Sequence, residues 1–183
     1  ACDNYYLQYG ADLEKIIWYP FTSLREKDIK KAPFLLEEKQ QIRTELGIQE
    51  KKVVLAVGQF IHRKGFDILL EAVKDISSDI GIYFVGGVPT EEYIEIQKKY
   101  RLQNVHFVGF KNKDELRAYY DSADIFVLPT REDIWGLVIQ EAMACGLPVI
   151  STERCAAALE LVKNGKNGYI TPVENVEKLT RSI

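Results

Sequence analysis

Two carboxylates lie eight positions apart in the most unusual stretch of the sequence, REDIWGLVIQEAMACGLPVIS, residues 131–151. They are Asp133 and Glu141. On a helix that begins near Gly136, Glu141 shares the apolar face with Leu137, Val138, Ala142 and Cys145. A buried carboxylate without partners costs on the order of several kcal/mol, so Glu141 must have partners. They are either nearby backbone or an arginine, or the hydroxyl groups of a ligand, since a carboxylate commonly binds the diol of a ribose.

Asp133 stands just before this helix, where two roles are open to it. It can cap the helix N-terminus and offset the partial positive charge there. It can also accept a hydrogen bond from a ligand hydroxyl beside a phosphate bound at that terminus. Its neighbour Glu132 is expected to be solvated.

A second candidate for ligand chemistry is the basic loop GQFIHRKG, residues 58–65. Gly58 and Gly65 let the backbone approach a ligand closely, and Arg63 and Lys64 add positive charge before a helix N-terminus. The alternative is that both cations are merely solvated. The dinucleotide pattern G-x-G-x-x-G is absent, and a basic loop suits a terminal diphosphate better than a buried dinucleotide.

The elements that must position these residues alternate along the chain. Short β-branched apolar runs predict strands at 51–58, 81–87, 105–110, 124–130, 148–152 and 167–172. Amphipathic stretches predict helices at 66–76, 90–100, 113–123, 136–146, near 155–163 and from about 173. Strands that are apolar on both faces are typical of a parallel sheet between two helix layers. The fold class is therefore α/β, a Rossmann-like doubly wound parallel sheet of about six strands. In the common order 3-2-1-4-5-6, the basic loop and the acidic stretch follow the two strands at the switch point, where ligands bind.

Residues 1–50 lack this alternation and are predicted to be a linker, or the tail of a preceding domain, before a domain at 51–183. The pattern indicates a short helix that ends at Gly10, a lone strand at 15–21 and a polar hinge at 22–31. A helix at 32–47 would carry Pro33 in its first turn and Gly47 at its end. The chain begins ACDNYY without an initiator methionine, and we interpret it as a fragment of a longer protein.

Composition excludes several classes of function. A net charge of −3 gives no basic field for nucleic acid or anionic lipid. The longest apolar runs are of strand length, too short to span a membrane. The three cysteines, Cys2, Cys145 and Cys155, lack zinc-binding spacing, and there are two histidines, so we expect no metal and no disulfide framework. A reducing, cytoplasmic location fits best.

Four stretches together carry a family resemblance: VVLAVGQFIHRKGFDILLEA, VHFVGF, DIFVLPTREDIWGLVIQEAMACGLPVIS and LVKNGKNGYITP. They resemble the C-terminal, donor-binding domain of group 1 retaining glycosyltransferases, which is one half of a GT-B fold. The resemblance covers about residues 51–175. The basic first loop and the acidic pair in the alanine- and methionine-containing helix make a specific combination, whereas either alone would be weak.

The resemblance implies a nucleotide-sugar donor, UDP-, GDP- or ADP-linked, without a cofactor or metal. The acceptor would be held by a separate N-terminal domain of the same parent protein. Membrane contact would come only through that domain or a lipid-linked acceptor, which would make the full-length protein peripheral to the membrane. The fragment alone is expected to be inactive.

By matching position, Lys64 resembles the diphosphate-binding lysine, and Glu141 the second acid of the family's acidic pair, which contacts the ribose. The resemblance assigns catalysis to Lys64, Asp133 and Glu141. It assigns donor binding to Gly58, Gln59, Arg63, Phe110, Lys111, Lys113, Ile134, Trp135, Gly136 and Leu137. In this set Ile134–Leu137 would face the sugar and distal phosphate, and Phe110–Lys113 would surround the base.

Two positions depart from the family pattern. Asp133 stands where glutamate is usual, and Gln59 stands where arginine commonly contacts the diphosphate, so Arg63 would compensate. Two other interpretations of function stay open. One is a nucleotide-sugar-binding or regulatory module without transfer activity, and the other is an epimerase or phosphorylase with the same fold.

Overall fold

The computed structural model describes residues 3–17, 22–32 and 35–183, and it contains one parallel sheet of six strands. The strands are β1 (Lys52–Gly58), β2 (Ile80–Gly86), β3 (Val105–Val108), β4 (Ile125–Leu128), β5 (Val149–Thr152) and β6 (Gly168–Thr171). Their order is β3-β2-β1-β4-β5-β6, which is the common order assumed in the sequence analysis. Leu55 at the centre of β1 pairs with Tyr83 of β2 and Phe126 of β4. The switch point therefore lies between β1 and β4, as expected.

Eight α-helices accompany the sheet in the described part of the chain. They are α1 (Asp3–Gln8), α2 (Leu36–Glu45), α3 (Phe66–Ala72), α4 (Glu91–Lys99), α5 (Lys113–Ser122), α6 (Leu137–Ala144), α7 (Ala156–Leu161) and α8 (Val176–Ser182). Helix α3 packs against α4 and α8, whereas α5 packs against α2, and α6 against α7. The sheet is thus enclosed between two helix layers, which confirms the α/β, doubly wound fold class. The helices predicted after residue 51 all form, and each is shorter than the range predicted for it.

The core is centred on aromatic side chains between the sheet and the α3 and α4 layer. Phe66 and Phe84 are both 0% exposed, and their ring centroids lie 5.1 Å apart in an edge-to-face arrangement. Phe60, which follows β1, contacts both rings and also Tyr93 of α4. Burying rings of this size contributes about 2–3 kcal/mol each relative to exposure. This packing fixes the base of the loop that leaves β1.

Helix α2, which the sequence pattern groups with the linker, is anchored to the sheet domain through Arg43. Its guanidinium is buried, and it donates to the carbonyl oxygens of Ser122 at 2.8 and 2.9 Å and Lys51 at 2.9 Å. It also contacts the Asp124 carboxylate at 2.8 Å. Burial raises the pKa of Asp124. The hydrogen bond from the Val53 backbone and the charge of Arg43 outweigh that effect, so the pKa is lowered overall.

The chain before α2 lies along α5 and α6. A short 3-10 helix covers Glu26–Asp28, and the Lys30 backbone N–H donates to the Ala144 carbonyl at the end of α6, at 2.8 Å. For the predicted strand at 15–21, Lys15 ends another 3-10 helix, and residues 18–21 lie outside the described residues, as does Pro33. Glycines do end the first and second α-helices, because Gly10 and Gly47 have φ of 85° and 72°.

Within residues 3–17, 22–32 and 35–183, no helix is long and apolar enough to cross a membrane. The same residues contain no cluster of three or more histidine, cysteine, aspartate or glutamate side chains placed to hold a metal ion.

Candidate functional site

The loops that follow β1 and β4 lie against each other at the switch point. The Thr130 hydroxyl donates to the Arg63 carbonyl oxygen at 2.7 Å, and the Arg131 backbone N–H donates to the same oxygen at 2.8 Å. Gly65 has φ of 66°, and a Cβ there would lie 2.1 Å from the Pro129 carbonyl oxygen. The two backbones can approach this closely only because residue 65 is glycine.

Lys64 and Asp133, which belong to different loops, form an ion pair. Lys64 Nζ lies 2.6 Å from Asp133 Oδ2, and the two side chains are 13% and 11% exposed. Arg63 Nη1 lies 3.5 Å from Asp133 Oδ1, with its side chain 46% exposed. Two cations thus face one carboxylate, which leaves a net positive charge where an anionic ligand can be held.

Gly58 forms the surface beneath the lysine. A Cβ at this position would lie 3.4 Å from both Lys64 Cε and Phe66 Cζ, so any larger side chain would crowd the aliphatic part of the lysine. Gln59, the next residue, is exposed. Of the sequence-predicted residues on this loop, Gly58, Arg63 and Lys64 are therefore brought to the ion pair directly.

The entrance to α6 is fixed by β5 and the loop that follows it. The Asp133 backbone N–H donates to the Arg154 carbonyl at 2.9 Å, and the Ala157 N–H donates to the Trp135 carbonyl at 2.8 Å. The residue that caps α6 is Gly136, with φ of 91°, and a Cβ there would lie 2.6 Å from Cys155 Sγ. The Asp133 carboxylate is bound by Lys64, while α6 has no side-chain cap.

Glu141 has both a structural partner and a cavity beside it. The Tyr120 hydroxyl donates to Glu141 Oε2 at 2.9 Å. Tyr120 is 3% exposed, and burial together with the Glu141 carboxylate raises the pKa of its hydroxyl well above the ordinary value. A cavity of about 570 Å³ reaches Glu141 between α5, α6 and the segment that precedes α2. The observed structural partner is thus a tyrosine hydroxyl, and not the backbone or arginine expected from the sequence. The cavity leaves the ligand alternative open.

The remaining sequence-predicted residues lie around this frame. Lys113 lines the cavity and contacts Asp28 at 3.1 Å, and Lys111 lies 3.7 Å from Glu115. Phe110 and Ile134 are 84% and 89% exposed, on the loops after β3 and β4. Trp135 and Leu137 are half-buried at the start of α6.

Sequence reasoning missed Tyr120 and Thr130. Tyr120 lies on the buried face of α5, where its periodicity is that of any core aromatic residue. Thr130 follows a proline in a loop, and its type alone indicates nothing about the carbonyl it contacts. Neither residue gave a signal that a single sequence could separate from ordinary packing.

A family model described as glycosyl transferases group 1 matches residues 38–183. The chain belongs to the group 1 glycosyltransferases. An uncharacterized glycosyltransferase of Methanocaldococcus jannaschii is 33% identical over 153 residues, which is 80% of this chain and 39% of that protein. The sulfoquinovosyl transferase of Arabidopsis thaliana is 32% identical over 148 residues, 79% of this chain and 28% of that protein. This group 1 domain thus spans less than half the length of these two relatives.

The crystal structure of Anabaena HepE in complex with UDP superposes on this group 1 domain with a TM-score of 0.79. The two chains are 25% identical, and the match covers 97% of this chain and 49% of HepE. The same protein has also been solved with UDP-glucose. The neighbours have the GT-B fold, of which the six-stranded domain is one half.

Proposed function

We propose that this domain binds the nucleotide-sugar donor of a retaining glycosyltransferase. The observation that supports this best is the Lys64–Asp133 contact at 2.6 Å, directly before the N-terminus of α6. Diphosphate oxygens would bind Lys64, the exposed Arg63 and the backbone N–H groups at the start of α6, which carry partial positive charge. Gln59 would add an uncharged hydrogen bond.

The nucleoside would extend from the diphosphate towards the cavity beside Glu141. The Glu141 carboxylate would accept hydrogen bonds from ribose hydroxyls, with Tyr120 holding its other oxygen. The base would lie near Phe110–Lys113, where Lys111 and Lys113 supply donors, and the sugar near Ile134–Leu137. UDP is the first donor nucleotide to test, because HepE is a relative that binds UDP and UDP-glucose.

In the proposed reaction, the bond between the anomeric carbon and the diphosphate oxygen breaks. A bond from the acceptor oxygen to that carbon forms on the same face of the sugar. The acceptor hydroxyl proton passes to the departing phosphate. Lys64 stabilises the charge that builds on the leaving group, and preorganised charge of this kind is a large contribution to catalysis. The acceptor would bind to a second domain of a longer protein, so we expect the 183-residue chain to bind donors without multiple-turnover transfer.

The test is calorimetric titration with UDP, GDP, ADP and the corresponding nucleosides. We expect Lys64→Met to weaken diphosphate binding by about ten- to a hundredfold, the cost of a charged hydrogen bond, with little effect on the nucleoside. Lys51→Met is the matched control, because its side chain is 77% exposed in an ion pair with Asp79. Equal losses for nucleoside and diphosphate would assign Lys64 to the fold and not to the phosphate.

A module that binds nucleotide sugars without catalysis is distinguished by a second assay. Donor hydrolysis or transfer by the longer protein, lost in Lys64→Met, supports the transferase. Donor binding without either activity in the longer protein supports the binding module.

A further inference from the structure

Arg131 connects three loops at the carboxyl edge of the sheet. Its Nη1 and Nη2 atoms contact the two carboxylate oxygens of Asp67 at 2.9 and 2.6 Å. Its Nε atom contacts Glu174 at 2.7 Å, and Nη1 also donates to the His62 carbonyl at 2.7 Å. The side chain is 14% exposed. A guanidinium supplies donors in a fixed planar fork, so these partners fix its orientation.

The residues that Arg131 joins are neighbours of the diphosphate-binding groups. Arg131 is two positions before Asp133, and His62 is two positions before Lys64. The backbone N–H of Arg131 adds the contact with the Arg63 carbonyl described above. Both ends of the Lys64–Asp133 contact are therefore held, through the backbone, by one residue that does not itself take part in it.

Glu174 shows that this network constrains its surroundings. It is one of two non-glycine residues with positive φ in the described chain, at 59°, a conformation that is unfavourable for a residue with a Cβ atom. Its side chain is 59% exposed, yet its carboxylate contacts Arg131 Nε. The ion pair with Arg131 offers a reason for the loop after β6 to keep this conformation.

We propose that Arg131 is a positioning residue of the diphosphate site, which sets the distance between Lys64 and the entrance to α6. This inference rests on the proposed function. The charge of Arg131 already faces two carboxylates, Asp67 and Glu174, so its field at the site is largely compensated. Arg131 therefore acts by holding its partners in place. A lysine ammonium group cannot reproduce the planar fork that contacts Asp67, Glu174 and the His62 carbonyl.

The test compares UDP and uridine affinities in Arg131→Met and Arg131→Lys. We expect both variants to lower the ratio of UDP to uridine affinity by about tenfold, because the charged hydrogen bonds of Lys64 lose their alignment. If the arginine variants fail to fold, Glu174→Gln provides the test instead. It removes one charged partner of Arg131 at an exposed position, and should lower the same ratio by a smaller factor. Arg181→Met is the control, since its ion pair with Glu177 is exposed.

The decisive measurement is the double variant Arg131→Met with Lys64→Met. If Arg131 acts through Lys64, its substitution lowers the UDP-to-uridine ratio no further once Lys64 is gone. Restoration of the ratio in Arg131→Lys would show that charge matters and not the fork, and would overturn the proposal. Parallel loss of UDP and uridine binding would make Arg131 purely structural. A ratio that Lys64→Met itself leaves unchanged would instead overturn the proposed function.

Discussion

Lys64 forms an ion pair with Asp133, and this decides what a ligand would have to displace. Its ammonium group lies 2.6 Å from Asp133, so the diphosphate of the proposed donor would have to compete with a carboxylate for the same cation. Asp133 would then be released to accept a hydrogen bond from the sugar. In the proposed function this residue would therefore change partners during binding.

We expect Asp133→Asn to bind bare UDP about fivefold more tightly. The variant has no competing carboxylate, so UDP no longer has to break an ion pair worth about 1 kcal/mol. The ratio of UDP-glucose to UDP affinity should fall, since an amide accepts sugar hydrogen bonds less well than a carboxylate. Calorimetric titration of both ligands gives the two numbers. An unchanged ratio would remove Asp133 from the sugar site.

The contact from Tyr120 to Glu141 leads to a prediction for the nucleoside end. Tyr120→Phe removes the donor that orients Glu141 Oε2 and keeps the buried ring. We expect uridine and UDP to lose affinity equally, by about fivefold, the value of one modest hydrogen bond. Tyr119→Phe is the control, because it makes the same chemical change one residue earlier on α5. A selective loss of UDP binding would contradict the placement of the ribose at Glu141.

At the scale of elements, the approach of the β1 loop to the β4 loop depends on Gly65. A matched pair of substitutions isolates this approach, because Gly65 and Gly47 have φ of 66° and 72°, but a Cβ at Gly47 would meet no atom within 4 Å. Gly47→Ala should destabilise the chain by about 1 kcal/mol through backbone strain alone.

Gly65→Ala should cost about 2 kcal/mol more, because its Cβ would lie 2.1 Å from the Pro129 carbonyl oxygen and must push the loops apart. It should also weaken UDP binding, which Gly47→Ala should leave intact. Urea unfolding and UDP titration measure the two effects. Equal costs for the two variants would show that the loops adapt without strain.

At the scale of the whole molecule, paired carboxylates set the dependence of stability on pH. Burial raises the pKa of Glu50, Asp67 and Asp124, but hydrogen bonds and nearby cations outweigh it and lower each value. A lowered pKa in the folded state means that the unfolded chain binds protons more readily. The resulting stabilisation is present above the ordinary values of 3.8 for aspartate and 4.5 for glutamate, and is lost as pH falls.

We therefore expect the free energy of unfolding to fall steeply below about pH 4.5. Asp124→Asn should lower stability at pH 7 and flatten the acid slope, because the variant no longer has a carboxylate to protonate beside Arg43. Asp75→Asn, at an exposed position, is the control. Urea titrations from pH 7 to pH 3 provide the slopes. An acid slope that Asp124→Asn leaves unaltered would show that other groups govern acid unfolding.

The sequence by itself determined the fold class and, once the common strand order is assumed, the edge of the sheet where the proposed site lies. Buried strands alternating with amphipathic helices leave few other solutions, since short crossovers between parallel strands are right-handed. Lys64 and Asp133 could be placed at one edge because their loops follow neighbouring strands at the switch point. The capping alternative for Asp133 was equally consistent with the pattern until its partner was seen.

Only the tertiary structure decided which side chains meet across that edge. The contact between Lys64 and Asp133 spans 69 positions, that between Arg131 and Asp67 spans 64, and that between Tyr120 and Glu141 spans 21. Arg43, on a helix grouped with the linker, reaches Ser122 across 79 positions. Hydrophobic periodicity specifies which face of an element is buried, but hydrogen bonds depend on distances of a few tenths of an ångström. Such distances are set by how the loops and helices pack together, and no local pattern in the sequence contains them.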